Sequence, residues 1–214
     1  MSGEISTTMP IFSTDAPLLL ENHLQHLREG SGISAEVIIE RGYHSIQNKG
    51  DLETYGFLSA QRRAPGILIP LWGVDGNQVG CQYRPDNPRS DSRSRPVKYE
   101  SPTGSSNHLD CPPRCRQMLG DPKTPLWITE GSKKADALAA HGACVISLTG
   151  VWGFKGKNEF GAITVLSDWD RIAIKDRLVY LAFDSDIVSK EMVRKALEHL
   201  GEHLSHKGAG ILVV

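Results

Sequence analysis

Three carboxylates carry the chemistry that can be read along this chain. "LVYLAFDSDI", residues 178–187, is an apolar, β-prone run that ends in Asp184 and Asp186. Val179, Leu181 and Phe183, with Tyr180 and Ala182 between them, predict a strand buried on both faces. Side chains two apart in an extended segment share a side, so both carboxylates leave the strand's C-terminal end in one direction. Like charges this close repel, and something positive should offset them. Glu130 stands in the same relation to "PLWITEG", residues 125–131, a short apolar strand closed by an acid and a glycine. An Asp pair at a strand-to-helix turn is by itself explained by turn formation and N-capping. A Glu at a second strand end adds another reading, in which three oxygen ligands hold a hard divalent cation such as Mg2+. Such a cluster binds its metal loosely until a phosphate arrives, which suits phosphoryl transfer.

The elements that position these acids alternate. After Glu130, "SKKADALAAHG" predicts a helix stopping at Gly142, and "ACVISLTG" a second buried strand ending at Gly150. A less regular stretch leads to the strand before Asp184. The long helical pattern "SKEMVRKALEHLGEHLSHKG" follows, with Met192, Ala196, Leu197 and Leu200 as its apolar stripe, and "AGILVV" reads as a final buried strand. This order argues for an α/β fold, a mostly parallel sheet flanked by helices, with its ligand site at the strands' C-terminal ends. The abrupt apolar ending is what a domain cut from a longer protein would show. Lys133 and Lys134 occupy the first helical turn, where the helix dipole disfavours cations; they either face solvent or hold a phosphate. Asp168 and Asp170 in "SDWD" repeat the acid-x-acid spacing, but in an irregular stretch where capping or surface solvation is the simpler account.

Upstream, "APLLLENHLQHLRE" predicts one helix over 16–29, and "SAEVIIERG" another with Ser34 as N-cap and Gly42 just past its end. Such a pair can read a DNA groove, although packing is its commoner use. "PGILIPLWGVDGNQVGCQYRP" predicts a hairpin about its Asp-Gly turn. The polar tract that follows carries Arg84, Arg89, Arg93, Arg95 and Lys98, either a solvated loop or a surface that follows a phosphate backbone. Cys111 and Cys115 in "CPPRC" invite zinc, but no second tight pair follows, which favours free thiols.

At 214 residues and a formal net charge of −1, the chain cannot be assigned a nucleic-acid partner from bulk charge, only from where its charges sit. Nothing resembles a signal peptide, and no apolar run approaches the ~18 residues of a membrane span. The default expectation is a cytoplasmic protein without a membrane partner.

Glu130-Gly131 closing one strand and Asp184-x-Asp186 closing another about fifty residues later resemble the Toprim domain of primases, topoisomerases and related nucleases. "TEGSKKADALAAHG" and "VYLAFDSDIVSKEMVRKALEHL" are especially similar to the Toprim-like domains in primase-helicase proteins of plasmids, phages and other mobile elements. The hairpin and "VKYESPTG" resemble the segment just ahead of Toprim in bacterial replicative primases, although the Lys-Tyr-x-x-Ser-Pro motif is here one residue shorter. The resemblance covers roughly residues 55–214, and with the helical reading upstream the chain divides into three parts. These are an N-terminal helical segment (1–52), a smaller mixed α+β basic subdomain (53–124) and a Toprim-like domain (125–214). It implies Mg2+ or Mn2+ on Glu130, Asp184 and Asp186, which would be both metal ligands and catalytic residues. It also implies substrate contacts from Arg84 and Lys98, beside which Tyr99 of the same motif, Lys133 and Lys134 are further candidate contacts. The activity implied is primer synthesis on a single-stranded DNA template from nucleoside triphosphates, with a helicase domain or protein as possible companion. A metal-dependent nuclease and a noncatalytic nucleic-acid-binding module are the alternatives. The primase motif carries an acid four residues after the Glu, where this chain has Lys134; Asp136 lies two further on, near the opposite side of the helix. A further acidic pair would fall beyond Val214, and no nucleotide-hydrolysing P-loop is present.

Overall fold

The computed structural model describes residues 19–183 and 191–214. Helix α1 (Glu21–Arg28) is followed by α2 (Ala35–Arg41), which the Ser34 hydroxyl caps by accepting from Val37 N–H and which ends at Gly42 in the left-handed conformation. Strand β1 (His44–Ile46), the short helix α3 (Asp51–Thr54), and the hairpin β2 (Gly66–Trp72) and β3 (Gln78–Pro85) complete the first half. The strands form an antiparallel sheet in the order β1-β2-β3. Its two faces pack separately. Leu68, Cys81 and Tyr83 point to a cluster with Ile46, Leu52 and Phe57, while Ile67 and Ile69 join Leu27, Ile33, Val37, Ile38 and Tyr43 beneath the two helices. The helix pair is therefore a packing unit on a sheet.

The second half is a parallel sheet in the order β5-β4-β8-β9, from β4 (Leu126–Glu130), β5 (Cys144–Leu148), β8 (Leu178–Ala182) and β9 (Gly210–Val213). Between β4 and β5 lies α4 (Ser132–Ala140), and between β8 and β9 lies α5 (Glu191–His206). A separate hairpin, β6 (Lys155–Lys157) with β7 (Ile163–Val165), stands between β5 and β8. β4 is apolar on both faces because it is central, paired with β5 on one side and β8 on the other. The expectation of a buried last strand fails. β9 is the edge strand, and Leu212 and Val213 are 49% and 63% exposed, because only β8 flanks it among the described residues.

One buried ion network joins the halves. Arg41, with no exposed surface, sits at the last turn of α2. Its Nε donates to both Asp136 carboxylate oxygens (3.1 and 2.9 Å) and its Nη2 to Oδ1 (2.6 Å), while Nη1 donates to Asp110 and to the Pro70 carbonyl. The Tyr43 hydroxyl donates to Asp136 at 2.6 Å. Asp110 in turn accepts from Trp72 N–H (3.0 Å) and the Ser147 hydroxyl (2.8 Å). Burial alone would lower the guanidinium's pKa, but the two carboxylates outweigh it and hold Arg41 well above the ordinary arginine range. Arg177 is a second bracket, donating to the carbonyls of Met118, Leu119, Ala173 and Thr124 beneath the parallel sheet. The four cysteines are buried free thiols; those of Cys111 and Cys115 donate to the carbonyls of Pro112 and Ala143.

Removing Arg41 leaves two buried carboxylates without a countercharge. Arg41→Ala is expected to cost about 3–5 kcal/mol in urea unfolding, whereas Glu40→Ala, which removes the exposed partner of Arg114, costs a small fraction of that.

Candidate active site

β4 is the strand at which the connections of the parallel sheet reverse. From it the chain crosses by α4 to β5 on one side, and the next strand, β8, lies on the other. A reversal of this kind opens a crevice at the C-terminal strand ends, and Glu130 is the last residue of β4. Gly131 follows at φ +85°, a conformation open to glycine at little cost, and turns the chain directly into α4. Glu130, Gly131, Ser132, Lys133 and Lys134 therefore all border a cleft of about 380 Å³, whose opposite wall is Gln82, Lys98 and Tyr99.

That opposite wall is set by register. Gln82 and Arg84 pair across the sheet with Ile69 and Ile67, so they share the face that α1 and α2 pack on, toward the start of α4. On the opposite face Gly66 makes room for Tyr83: a Cβ there would come within 2.5 Å of the Arg84 carbonyl and the Tyr83 hydroxyl. Residues 98–100 run along the free edge of β3, where Tyr83 and Glu100 exchange backbone hydrogen bonds of 2.9 and 2.8 Å. Glu100 is thereby buried beside Tyr83, and alternation turns Tyr99 to the cleft. Burial raises the Tyr99 phenol's pKa, and the hydrogen-bonded Arg84 pulls it back.

The basic tract divides. Arg89 is bound to Glu100 at 2.6 Å and Arg95 to Asp91 at 2.8 Å, so those two guanidiniums are committed to local partners. Lys98 lines the cleft, and Arg84 acts electrostatically on Lys133. Burial, and then Arg84, lower the Lys133 pKa from 10.5 to about 8. Lys133 Nζ lies 2.7 Å from His26 Nε2 on α1. Burial, and then Lys133, Arg84 and His23, lower the pKa of that imidazole, which suits it to accept from the ammonium.

The structure thus brings Glu130, Lys98, Tyr99, Lys133 and Lys134 to one cleft, with Arg84 beside it. Asp184 and Asp186 lie outside the described residues. Thr129 pairs with Ala182, so Phe183 brings the chain level with Glu130 just before that gap. Among the described residues, no group of three His, Cys, Asp or Glu side chains could hold a metal ion. Asp136 is far from available as a ligand, being buried against Arg41 and Tyr43. Asp168 accepts from Leu109 N–H and Asp170 pairs with Lys207, which are structural and surface roles.

Reading the sequence missed His26, Gln82 and Ser132. His23 and His26, three apart, lie near one another on the surface of α1, a signal that was present. His23 ties the helix down through Ser45 (2.7 Å) and Asp86 (3.0 Å), and His26 reaches Lys133. The Ser132 hydroxyl is buried in the cleft wall without a hydrogen-bond partner among the described residues.

A family model described as a domain of unknown function (DUF3854) matches residues 116–214. An uncharacterized protein of Picosynechococcus sp. is 26% identical over an alignment covering 92% of this chain and 25% of that protein. Among solved structures, the zinc-binding and RNA polymerase domains of Aquifex aeolicus primase match at a TM-score of 0.59 and 15% identity, over 91% of this chain and 49% of that one. A DnaG catalytic core matches at a TM-score of 0.56 and 14% identity, over 89% of this chain and 64% of that one. A DnaG primase catalytic domain bound to single-stranded DNA matches at 0.53 and 16% identity, over 89% and 65%. The chain spans a quarter of its curated relative and about half to two thirds of these structures. It shares the fold of primase catalytic cores, a Toprim-like parallel sheet behind a smaller α+β unit.

An amine reacts with acylating reagents only when neutral, and Lys133 is neutral above about pH 8. Its acylation, followed by peptide mass spectrometry, should rise with a midpoint near 8, while solvent lysines keep climbing toward about 10.4. Arg84→Met removes a repelling charge and should move the Lys133 midpoint upward.

Proposed function

We propose that this chain is a primase-like nucleotidyltransferase core that joins nucleotides on a single-stranded DNA template, in the replication of a mobile element. One observation carries the reading: the carboxylate at the sheet's reversal point opens onto the same cleft as cations from both halves of the molecule. An acid facing cations across a cleft at strand ends suits a phosphate chain held together with its counterion. The fold shared with primase cores supports the same reading.

The donor set suits a hard cation in part. Glu130 supplies oxygen at the cleft, and Asp184 and Asp186, the other ligands proposed, are outside the described residues. These three would hold Mg2+ or Mn2+, which when bound neutralises charge developing on the α-phosphate oxygens. The 3′-hydroxyl of one nucleotide loses its proton to solvent as its oxygen forms a bond to the α-phosphorus of the next, and the bond from that phosphorus to the bridging oxygen breaks, so that pyrophosphate leaves. Arg84, Lys98 and Lys133 hold the triphosphate and template phosphates. Tyr99, 40% exposed at the cleft edge, offers a ring on which a base can stack. His26 keeps the Lys133 side chain directed along the cleft wall. A helicase acting with this core would be supplied by another domain or protein.

The test is incorporation of labelled nucleotides on a single-stranded template with Mg2+. Glu130→Gln should reduce it by about 10²–10³-fold, with an unchanged circular dichroism spectrum. Shortening of the template without incorporation would favour a nuclease. Salt-sensitive DNA binding that survives Glu130→Gln, with no turnover, would make the chain a binding module.

A further inference from the structure

The β6–β7 hairpin presents apolar surface that the fold does not use. Phe160, at its tip, is 85% exposed and Ile163 is 73% exposed. The tip is nevertheless built. The Asn158 side chain accepts from the backbone N–H of Phe160 (3.1 Å) and Ala162 (2.9 Å), holding the turn that projects the ring. At the hairpin's base Trp152 lies stacked with Phe154, centroids 5.9 Å apart, and remains 36% exposed. Lys155 Nζ lies 5.2 Å and the His199 ring 5.7 Å from the Trp152 ring centroid, so a cation and a partly exposed aromatic ring occur together. Trp152, Lys155, Lys157, Ile163 and Asn107 line a cleft of about 330 Å³.

Asn107 connects this cleft to the rest of the molecule. Its amide donates to the Lys155 carbonyl at 2.8 Å, and the same residue lines a second cleft of about 260 Å³ formed by the 101–108 segment, Thr149 and the middle of β3. That second cleft includes Ser101, two residues along the chain from Tyr99 of the candidate active site. The hairpin cleft and the second cleft therefore meet at Asn107.

We infer that the hairpin and Trp152 form a second contact for single-stranded nucleic acid, outside the catalytic cleft. The inference rests on the reading under Proposed function. Flat exposed rings beside ammonium groups match a ligand whose flat bases alternate with phosphates. In a duplex the base faces are stacked on one another, so the partner is a single strand. Lys155 and Lys157 oppose the one acid of the turn, Glu159, and leave the hairpin net positive. The hairpin holds template beyond the nucleotides engaged in the catalytic cleft, and stacking makes that hold tolerant of sequence.

The full chain is titrated with a fluorescein-labelled 20-nucleotide oligothymidylate, read by anisotropy. The Phe160→Ala/Lys157→Ala variant alters only side chains that pack on nothing buried, and circular dichroism checks that it folds. Its affinity should fall about tenfold, while nucleotide incorporation at saturating template is unchanged. Equal affinities for wild type and variant overturn the inference and leave the active-site reading standing. So does an unchanged DNA affinity combined with loss of self-association in sedimentation, which would make the hairpin a protein-facing surface. Failure of the wild type to bind the oligonucleotide at all overturns both.

Discussion

The arrangement depends on a single guanidinium taken out of water. Arg41 is enclosed between Asp136, on α4 of the parallel sheet, and Asp110, whose backbone is paired to Ser147 on β5. It also donates to the Pro70 carbonyl of β2, and its own carbonyl accepts from the Trp72 indole. A buried charge is tolerated only where its partners are placed to satisfy it. The requirement runs both ways: the antiparallel sheet, the helix pair and the parallel sheet must take one relative position, or three charges are left uncompensated. Apolar contact would permit sliding; a fork-shaped donor between two carboxylates does not.

That position creates the cleft. α4 is held by Asp136 at its middle, so its first turn, with Ser132 and Lys133, meets β3 and α1. Three residues before Asp136, Lys133 comes against His26; later on the same helix, Ala137 and Ala140 pack on the cluster beneath α1 and α2. The anchor and the site thus belong to one short helix. A cation at a helix N-terminus is unfavourable, and the surroundings of Lys133, with Arg84 near and a neutral imidazole as acceptor, make it ready to give up its proton or to take an anion. A polyphosphate would relieve this crowding of positive charge.

What could be read along the chain were features with local causes. The Ser34 cap, the Gly42 and Gly142 helix ends, the Asp-Gly hairpin and the strand ending at Glu130 each announce themselves within a few residues, and the order of motifs carried the resemblance. What could not be read were partnerships over long separations. Along the chain Asp136 reads only as a misplaced metal ligand, because its partner Arg41 is 95 residues away. Arg95 has its acid four residues away, but nothing local separates Arg89, which is bound to Glu100, from Arg84 and Lys98, which border the site; the pairing of Glu100 with Tyr83 on β3 does so. "ILVV" read as buried since hydrophobicity does not distinguish a central strand from an edge one. The site's cationic side and Glu130 are fixed in space here, and the two aspartates enter through sequence order and the register of β8.

The central claim is that Glu130 and the Asp184–Asp186 pair converge on one divalent ion. Replacing Mg2+ with Fe2+ in the presence of ascorbate and peroxide generates radicals that cut the chain only near the bound metal. The account predicts cuts around residues 130 and 184–186 together, both suppressed by excess Mg2+ and both lost in Glu130→Gln. Cutting confined to one of the two segments, or placed elsewhere on the chain, would contradict it.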